Sequence, residues 1–509
     1  MIDSQVLFLV LLYGLGLLIG LFLKDEIPIL FICCTAFLWG TLIWVLLALV
    51  CLVFTIPYSF QTMIWMIGIA AAFLVVIHIR SKARRIMRID IFTVAVSITV
   101  FGGLASVANH FNFSILSPDS IYMIMNGRVL STLGFSDFIQ NQLALRGVFL
   151  PLLQSISTFL GIGYLNALIP SFAFSFLAIF GFLCLRIIRS YTHLSRWVAF
   201  LLVCLTESFF ASTYFIIFQV YYVHVNLMSG IYLFVTVGSF WLALREHKQS
   251  WNIMAMMALT GFSLLRTEAP LFALVFLVLV ISFGQISYKM RIKLILPYLV
   301  FITLWYVYLL SGMEAGSKIL KPWNTILIIL GLVGFGVLLT ISKYRWIEQF
   351  VFPRLPYLIM VVLILVIVIL TLQDPTIMKN GVIMIFKNWY TTGLWGPTAV
   401  VLTVITGILI FQPIFPYEKL FSVGILTFLL LLLILYYQIY PAHDVGWGDS
   451  ANRMITHIVP VVILYGLIKF SRGFTADQTD VSEFNNLPRY IALVAGASIL
   501  FTVLLIYFT

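Results

Sequence analysis

Apolar runs of about 20 residues, the length a helix needs to cross a bilayer, recur along this chain from end to end. They fall at 5–23, 28–56, 60–79, 91–108, 164–187, 197–215, 227–245, 251–266, 270–285, 294–312, 323–342, 355–372, 393–412, 417–437, 454–468 and 489–508. In lipid every backbone N–H and C=O must be satisfied within the protein, so only helices and closed barrels span. These runs are continuous rather than alternating, which excludes a barrel. The expected fold is an all-α polytopic membrane protein with about 16 transmembrane helices. The 28–56 run is long enough for a hairpin of two short helices.

Composition agrees, with 62% hydrophobic residues, 9% charged residues and a mean hydropathy of +1.12. The first run, Val6–Leu23, has neither a basic leader nor a small-residue cleavage site and does not read as a cleavable signal. A net charge of +11 is read as cytoplasmic loop charge, not as a nucleic-acid footprint. Cys33, Cys34, Cys51, Cys184 and Cys204 all lie within or against apolar runs, as small buried residues rather than a disulfide or metal framework.

The strongest inside signal is RSKARRIMR, 80–88. Alternation from there puts most basic residues on the cytoplasmic side. It leaves Arg128, Arg146, Arg266, Lys318, Lys321, Lys379, Lys387 and Arg453 outside. For this parity to hold, 148–162 cannot be a span, and it is expected to lie in the outer interface or to re-enter.

The outward face then collects three charged points. The first is the long loop 110–147, in which SPDSIY reads as a helix start. Ser117 is the N-cap and Pro118 the first helical position, with Asp119 and Tyr122 three apart on one face. The second is LLRTEAPLF, 264–272, where Arg266 and Glu268 stand between two apolar runs, either as a self-neutralising turn or as a functional pair. The third is PAHDVGWGDSANRMITHIVP, 441–460, with His443, Asp444, Asp449 and Arg453 ahead of a late span. Asp449 and Arg453 are four apart and able to pair on a helix, and an arginine there can fork onto a phosphate. His443 with Asp444 offers a divalent cation two ligands, but no metal-ligand spacing accompanies them and no cofactor is firmly expected. Aromatic outer loops suit either interfacial anchoring or stacking on sugar rings. A carboxylate as general base, arginines and a lipid-linked phosphate substrate fit this set of groups.

These three points, in this order, resemble the GT-C superfamily of polytopic glycosyltransferases, which use polyprenyl-phosphate sugars. SPDSIYMIMNGRVLSTLGF is similar to that family's first outer loop, LALRGVFLPLLQSISTFLGI to the amphipathic segment after it, and LLRTEAPLF to its Arg-x-Glu turn. GWGDSANRMITHIVP resembles the late pattern of arabinosyl- and protein-mannosyltransferase relatives. The resemblance covers 91–509 and leaves 1–90 as an N-terminal three-helix membrane extension. It implies a GT-C-like core with a long first outer loop and interfacial helices, and inversion at the anomeric carbon with release of polyprenyl phosphate.

Residue by residue, the resemblance makes Asp119 the catalytic base and Arg453 the contact to the donor phosphate. Arg266 becomes a second phosphate or structural contact held by Glu268, with Tyr122, Asp449, Asp444 and His443 in support. The acceptor would be a glycan, a protein or a lipid. The compact loops point to a bacterial plasma membrane, with the site on its extracytoplasmic face. One departure is that many members carry two adjacent acids in the first loop, whereas here Ser120 follows Asp119. Two other classes compete. An O-antigen ligase or polymerase would use a lipid-diphosphate donor, but with its large outer loop late in the chain. A lipid or solute transporter would hold its charges near the bilayer midplane, commonly with internal repeats, and none is seen.

Overall fold

In a computed structural model, the residues described are 3–24, 26–80, 88–112, 114–135, 139, 142–143, 146–191, 194–283, 286–311, 322–410, 418–439, 446 and 449–473. They form α1 (Ser4–Gly20), α2 (Ile29–Val53), α3 (Phe60–Arg80), α4 (Arg88–Phe111), α5 (Pro118–Leu133), α6 (Phe149–Phe159) and α7 (Leu168–Tyr191). There follow α8 (Arg196–Ala211), α9 (Tyr214–Tyr221), α10 (Asn226–Glu246), α11 (Gln249–Leu265), α12 (Ala269–Phe283), α13 (Leu296–Ser311) and α14 (Pro322–Ile341). The last five are α15 (Leu355–Gln373), α16 (Pro375–Lys387), α17 (Pro397–Ile410), α18 (Lys419–Ile439) and α19 (Ser450–Gly473). The one extended pairing among the described residues is an isolated parallel bridge between Ile115 and Tyr222.

The chain is an all-helical polytopic membrane protein. Nine helices among the described residues are long and apolar enough to cross a bilayer, or ten if α8 and α9, bent by 73° at Ser212–Thr213, are taken as one broken span. Shorter apolar helices occupy 60–73, 149–159, 269–283, 325–341 and 397–407. The expected span at 489–508 lies outside the described residues. The 28–56 run is one helix of 25 residues and not a hairpin, because no proline or glycine pair interrupts it to make a turn.

The helices divide into two compact units, with boundaries inside α7, α9 and α12. The first unit holds Met1–Ile179, Gln219–Leu277 and Gln285–Phe350. Its tightest contact is between α1 and α2. A Cβ on Gly16 would lie 1.7 Å from the carbonyl oxygen of Ala36, and one on Gly40 would lie 1.7 Å from that of Leu12. Two glycines thus let the backbones touch, which is how helices associate where water supplies no hydrophobic drive. At the centre stands α10, 94% buried over its span window, with Tyr232 donating to the carbonyl of Leu38 at 2.7 Å. Trp44 donates to the carbonyl of Leu152 in α6 at 3.2 Å. The segment at 148–162, expected to lie in the outer interface or to re-enter, forms a short helix, α6, whose Phe149–Ser157 are buried throughout; that burial argues against an interfacial position and is compatible with re-entry. The helix is a core element, because α2 and α5 cover it: the missing Cβ of Gly127 would fall 2.6 Å from the Pro151 carbonyl oxygen.

The two ends of the first unit differ. At one, Lys24 pairs with Asp90 at 2.5 Å, and Glu26 accepts from the Ser250 backbone N–H at 2.8 Å. The other carries the start of α5, the 222–226 segment and the α11–α12 turn, where the candidate site lies.

The second unit holds Phe180–Phe218, Val278–Gly284 and Val351–Thr509. In α15 only 6% of the span window is buried, with Leu358, Val361, Leu365 and Leu372 exposed, the pattern of a helix whose solvent is lipid. Here α17, α18 and α19 pack around a polar hub, and a buried ion pair joins Lys469 to Glu418 at 2.6 Å.

Candidate functional site

The start of α5 is capped as the sequence indicates. Ser117 accepts from the Ser120 N–H, Ser120 returns a bond to the Ser117 N–H, and Pro118 occupies the first helical position, so helix entry is fixed by local chemistry. The cap is tied to a distant segment. Ile115 N–H donates to the Tyr221 carbonyl at 2.8 Å, and the hydroxyls of Ser117 and Tyr222 are 2.9 Å apart.

This anchoring sets Asp119 in a group drawn from three places in the chain. Arg146 pairs with Asp119 Oδ1, and its guanidinium lies 4.7 Å from the centre of the Tyr122 ring. The shared face expected for Asp119 and Tyr122 is therefore where Arg146 docks. His224 Nε2 stands 4.0 Å from Asp119 Oδ2, too far for a hydrogen bond. The His224 ring is stacked on Tyr222, with centroids 5.1 Å apart. The Asp119 side chain keeps 26% of its surface exposed, while His224 keeps 7%.

Arg146 is held in turn by Gly147. At φ +78 a Cβ there would lie 2.3 Å from the Leu265 carbonyl oxygen, and Val148 N–H donates to the Leu264 carbonyl at 3.2 Å. The 146–148 segment thus lies along the end of α11, just before Arg266. That arginine leaves the helix in an extended conformation, pairs with Glu268 and donates to Asn226 Oδ1 at 3.0 Å. Asn226 opens α10 two residues after His224. The first two charged points of the sequence are therefore joined: the segment that presents His224 to Asp119 also presents Asn226 to Arg266. The Thr267 carbonyl accepts from the Tyr306 hydroxyl, which pins the turn from the α13 side.

The third point is in the second unit and is built differently. Asp449 is fully buried and caps α19. Its Oδ2 accepts from the Asn452 N–H at 2.9 Å, from Asn388 Nδ2 at 3.1 Å and from the Tyr436 hydroxyl. Asn388 Oδ1 accepts from the Gly446 N–H at 2.7 Å, and Asn452 Oδ1 from the Trp395 indole at 2.6 Å. Three donors on one carboxylate oxygen make Asp449 an anchor for the 388–396 segment, which opens on a π-helical turn. Arg453, 8% exposed in the first turn of α19, donates to Ser450 Oγ at 3.1 Å. His443 and Asp444 lie outside the described residues. Among those described, no group of three or more His, Cys, Asp or Glu side chains is placed to hold a metal ion.

Sequence reasoning did not single out Arg146, Asn226, Asn388, Asn452 or Tyr436. For Arg146 one signal was present: it is among the few basic residues that charge parity puts on the outer side. The amides and Tyr436 carry no such mark, because their partners are remote in sequence.

Fold and site together define a polytopic helical membrane protein with a partly exposed, arginine-held carboxylate at one end of its first unit. No protein-family model, curated protein or solved structure matches the chain.

Proposed function

We propose that the protein is an inverting glycosyltransferase that moves a sugar from a polyprenyl-phosphate donor to a hydroxyl acceptor. It acts at the extracytoplasmic face of a bacterial plasma membrane. The observation that carries this reading is the setting of Asp119. It stands in the first turn of α5, a quarter exposed, with one oxygen held by Arg146 and the other beside His224. A general base needs a reachable oxygen and a fixed orientation, and this carboxylate has both.

In the reaction the acceptor oxygen attacks the anomeric carbon and its proton passes to Asp119. The bond from that carbon to the phosphate oxygen breaks, and polyprenyl phosphate leaves. Arg146 orients the base. Of the two roles open to Arg266, its engagement with Glu268 and Asn226 favours the structural one: it holds the turn beside Arg146. Arg453 keeps the role of donor-phosphate contact as a separate part of the proposal, supported by its place at the start of α19 and by the resemblance of its motif.

The test is turnover of purified full chain with a panel of polyprenyl-phosphate sugars and candidate acceptors, read as released polyprenyl phosphate. Wild type turns over. Asp119→Asn loses about 10²–10⁴ in rate, the span of general-base catalysis. Arg453→Ala raises KM for the donor. An Asp119→Asn protein that turns over like wild type refutes the base assignment.

A further inference from the structure

At the same end of the first unit lies a cleft of about 490 Å³, within the range of about 300–1,000 Å³ usual for small-molecule sites. It is formed where the 54–58 loop meets the last turn of α5 and the end of α13. The lining includes Thr55, Tyr58, Ser131, Thr132, Phe135 and Tyr308. Phe135 and Tyr308 have ring centres 4.9 Å apart and make an aromatic wall.

The hydroxyls have an unusual shared property: the protons of four are already committed. Thr55 donates to the Phe54 carbonyl at 2.7 Å. Ser131 and Thr132 donate to the Arg128 carbonyl at 2.8 and 2.9 Å. Ser155 gives its proton to the Leu152 carbonyl at 2.6 Å, so the Tyr58 hydroxyl, 2.6 Å from Ser155, is the donor in that pair. Desolvation raises the Tyr58 phenol above its ordinary range and keeps that proton in place. Tyr58 turns its hydroxyl to buried Ser155, and what Thr55, Ser131 and Thr132 offer a ligand is therefore acceptor lone pairs.

Among the described lining residues there is no lysine, arginine or histidine. A phosphate, which brings only acceptors and seeks cationic or N–H donors, is poorly matched to such a lining. A ligand with many hydroxyl donors and C–H faces for the aromatic wall is well matched.

We propose that this cleft is a subsite for an uncharged sugar unit. Thr132 and Asp119 lie in the last and first turns of the same helix, ~20 Å apart at 1.5 Å per residue. A ligand reaching both spans several sugar units. Resting on the glycosyltransferase reading, the cleft assigns the acceptor as an extended glycan whose distal unit docks here while its terminal hydroxyl meets Asp119.

The test is binding, independent of turnover. Purified full chain in detergent is titrated with maltose, cellobiose, lactose and mannobiose. Glucose 6-phosphate and a short-chain prenyl phosphate serve as controls, and all are read by saturation-transfer NMR. At least one neutral disaccharide is expected to bind. Its affinity falls about tenfold in the Ser131→Ala/Thr132→Val double variant, which removes two acceptors on an accessible helix end. Ser131→Trp, which fills the cleft, abolishes binding. The proposal is overturned if no disaccharide binds at tens of millimolar, if both cleft variants bind like wild type, or if the prenyl phosphate displaces the sugar. Cleft-dependent sugar binding by a wild type that releases no polyprenyl phosphate would leave the sugar site standing while the transferase reading falls.

Discussion

Asp449 offers the sharpest test of how the second unit is held together. Its Oδ2 receives three donors, from Asn452, Asn388 and Tyr436, and Asp449, Asn388 and Asn452 are all fully buried. Asp449→Ala leaves those donors without their acceptor in a site closed to solvent. A buried polar group that loses its partner costs about 1–3 kcal/mol. Three such losses, reduced by local relaxation, come to about 3–5 kcal/mol, a large share of a typical folding stability.

Asp449→Asn is a different perturbation. An asparagine that puts its amide oxygen where Oδ2 stood keeps all three donors, and loses the charge-assisted part of each bond while placing an NH2 where Oδ1 stood. About 1–2 kcal/mol is expected. The assay is unfolding in mixed detergent micelles, followed by tryptophan fluorescence, since Trp395 is bound to Asn452 in the same hub. The Ala variant unfolds at markedly lower denaturant than wild type, with Asn in between and close to wild type. Equal losses in Ala and Asn would mean that the charge and not the acceptor geometry matters, and no loss in Ala would refute the hub.

Three further outcomes are expected. Gly40→Val brings a side chain onto the Leu12 carbonyl, where a Cβ alone would sit at 1.7 Å; α1 and α2 must part, and the yield of monodisperse protein in fluorescence-detected size exclusion collapses. Lys469→Met leaves Glu418 buried without its ion-pair partner and destabilises by about 3–5 kcal/mol, whereas adding Glu418→Leu recovers most of it; the cycle is read by thermal unfolding. Arg146→Met, removing the group that orients Asp119, lowers kcat with little change in donor KM and no loss of folded yield, and Arg146→Lys recovers part of the rate.

The charged points differ in how far the chain announces them, and distance along it is the reason. The cap at Ser117, Pro118 and Ser120 is legible because its hydrogen bonds close within one turn. The Arg266–Glu268 pair is legible because its partners are two residues apart in a turn between apolar runs. Arg146 reaches Asp119 across 27 positions, and Asn388 reaches Asp449 across 61; nothing local marks either pairing. Asp449 and Arg453 have helical spacing that permits an ion pair. The tertiary setting instead gives the Asp449 carboxylate to a cap, an amide and a phenol. The fate of 148–162 was equally open, since a short amphipathic helix suits an interface or a re-entrant segment, and only the covering by α2 and α5 removes the interface.

Composition and run length by themselves determined the class. A backbone in hydrocarbon must pair its own polar groups, so long apolar runs become helices whatever their neighbours do. Which helices touch was settled by features that act only at contact, such as Gly16 and Gly40 admitting a facing backbone. Which charges meet was settled only in three dimensions, where the bridge between Ile115 and Tyr222 brings His224 to Asp119. The energy of a buried charge depends on the groups that surround it in space, and those groups come from segments that the chain keeps far apart.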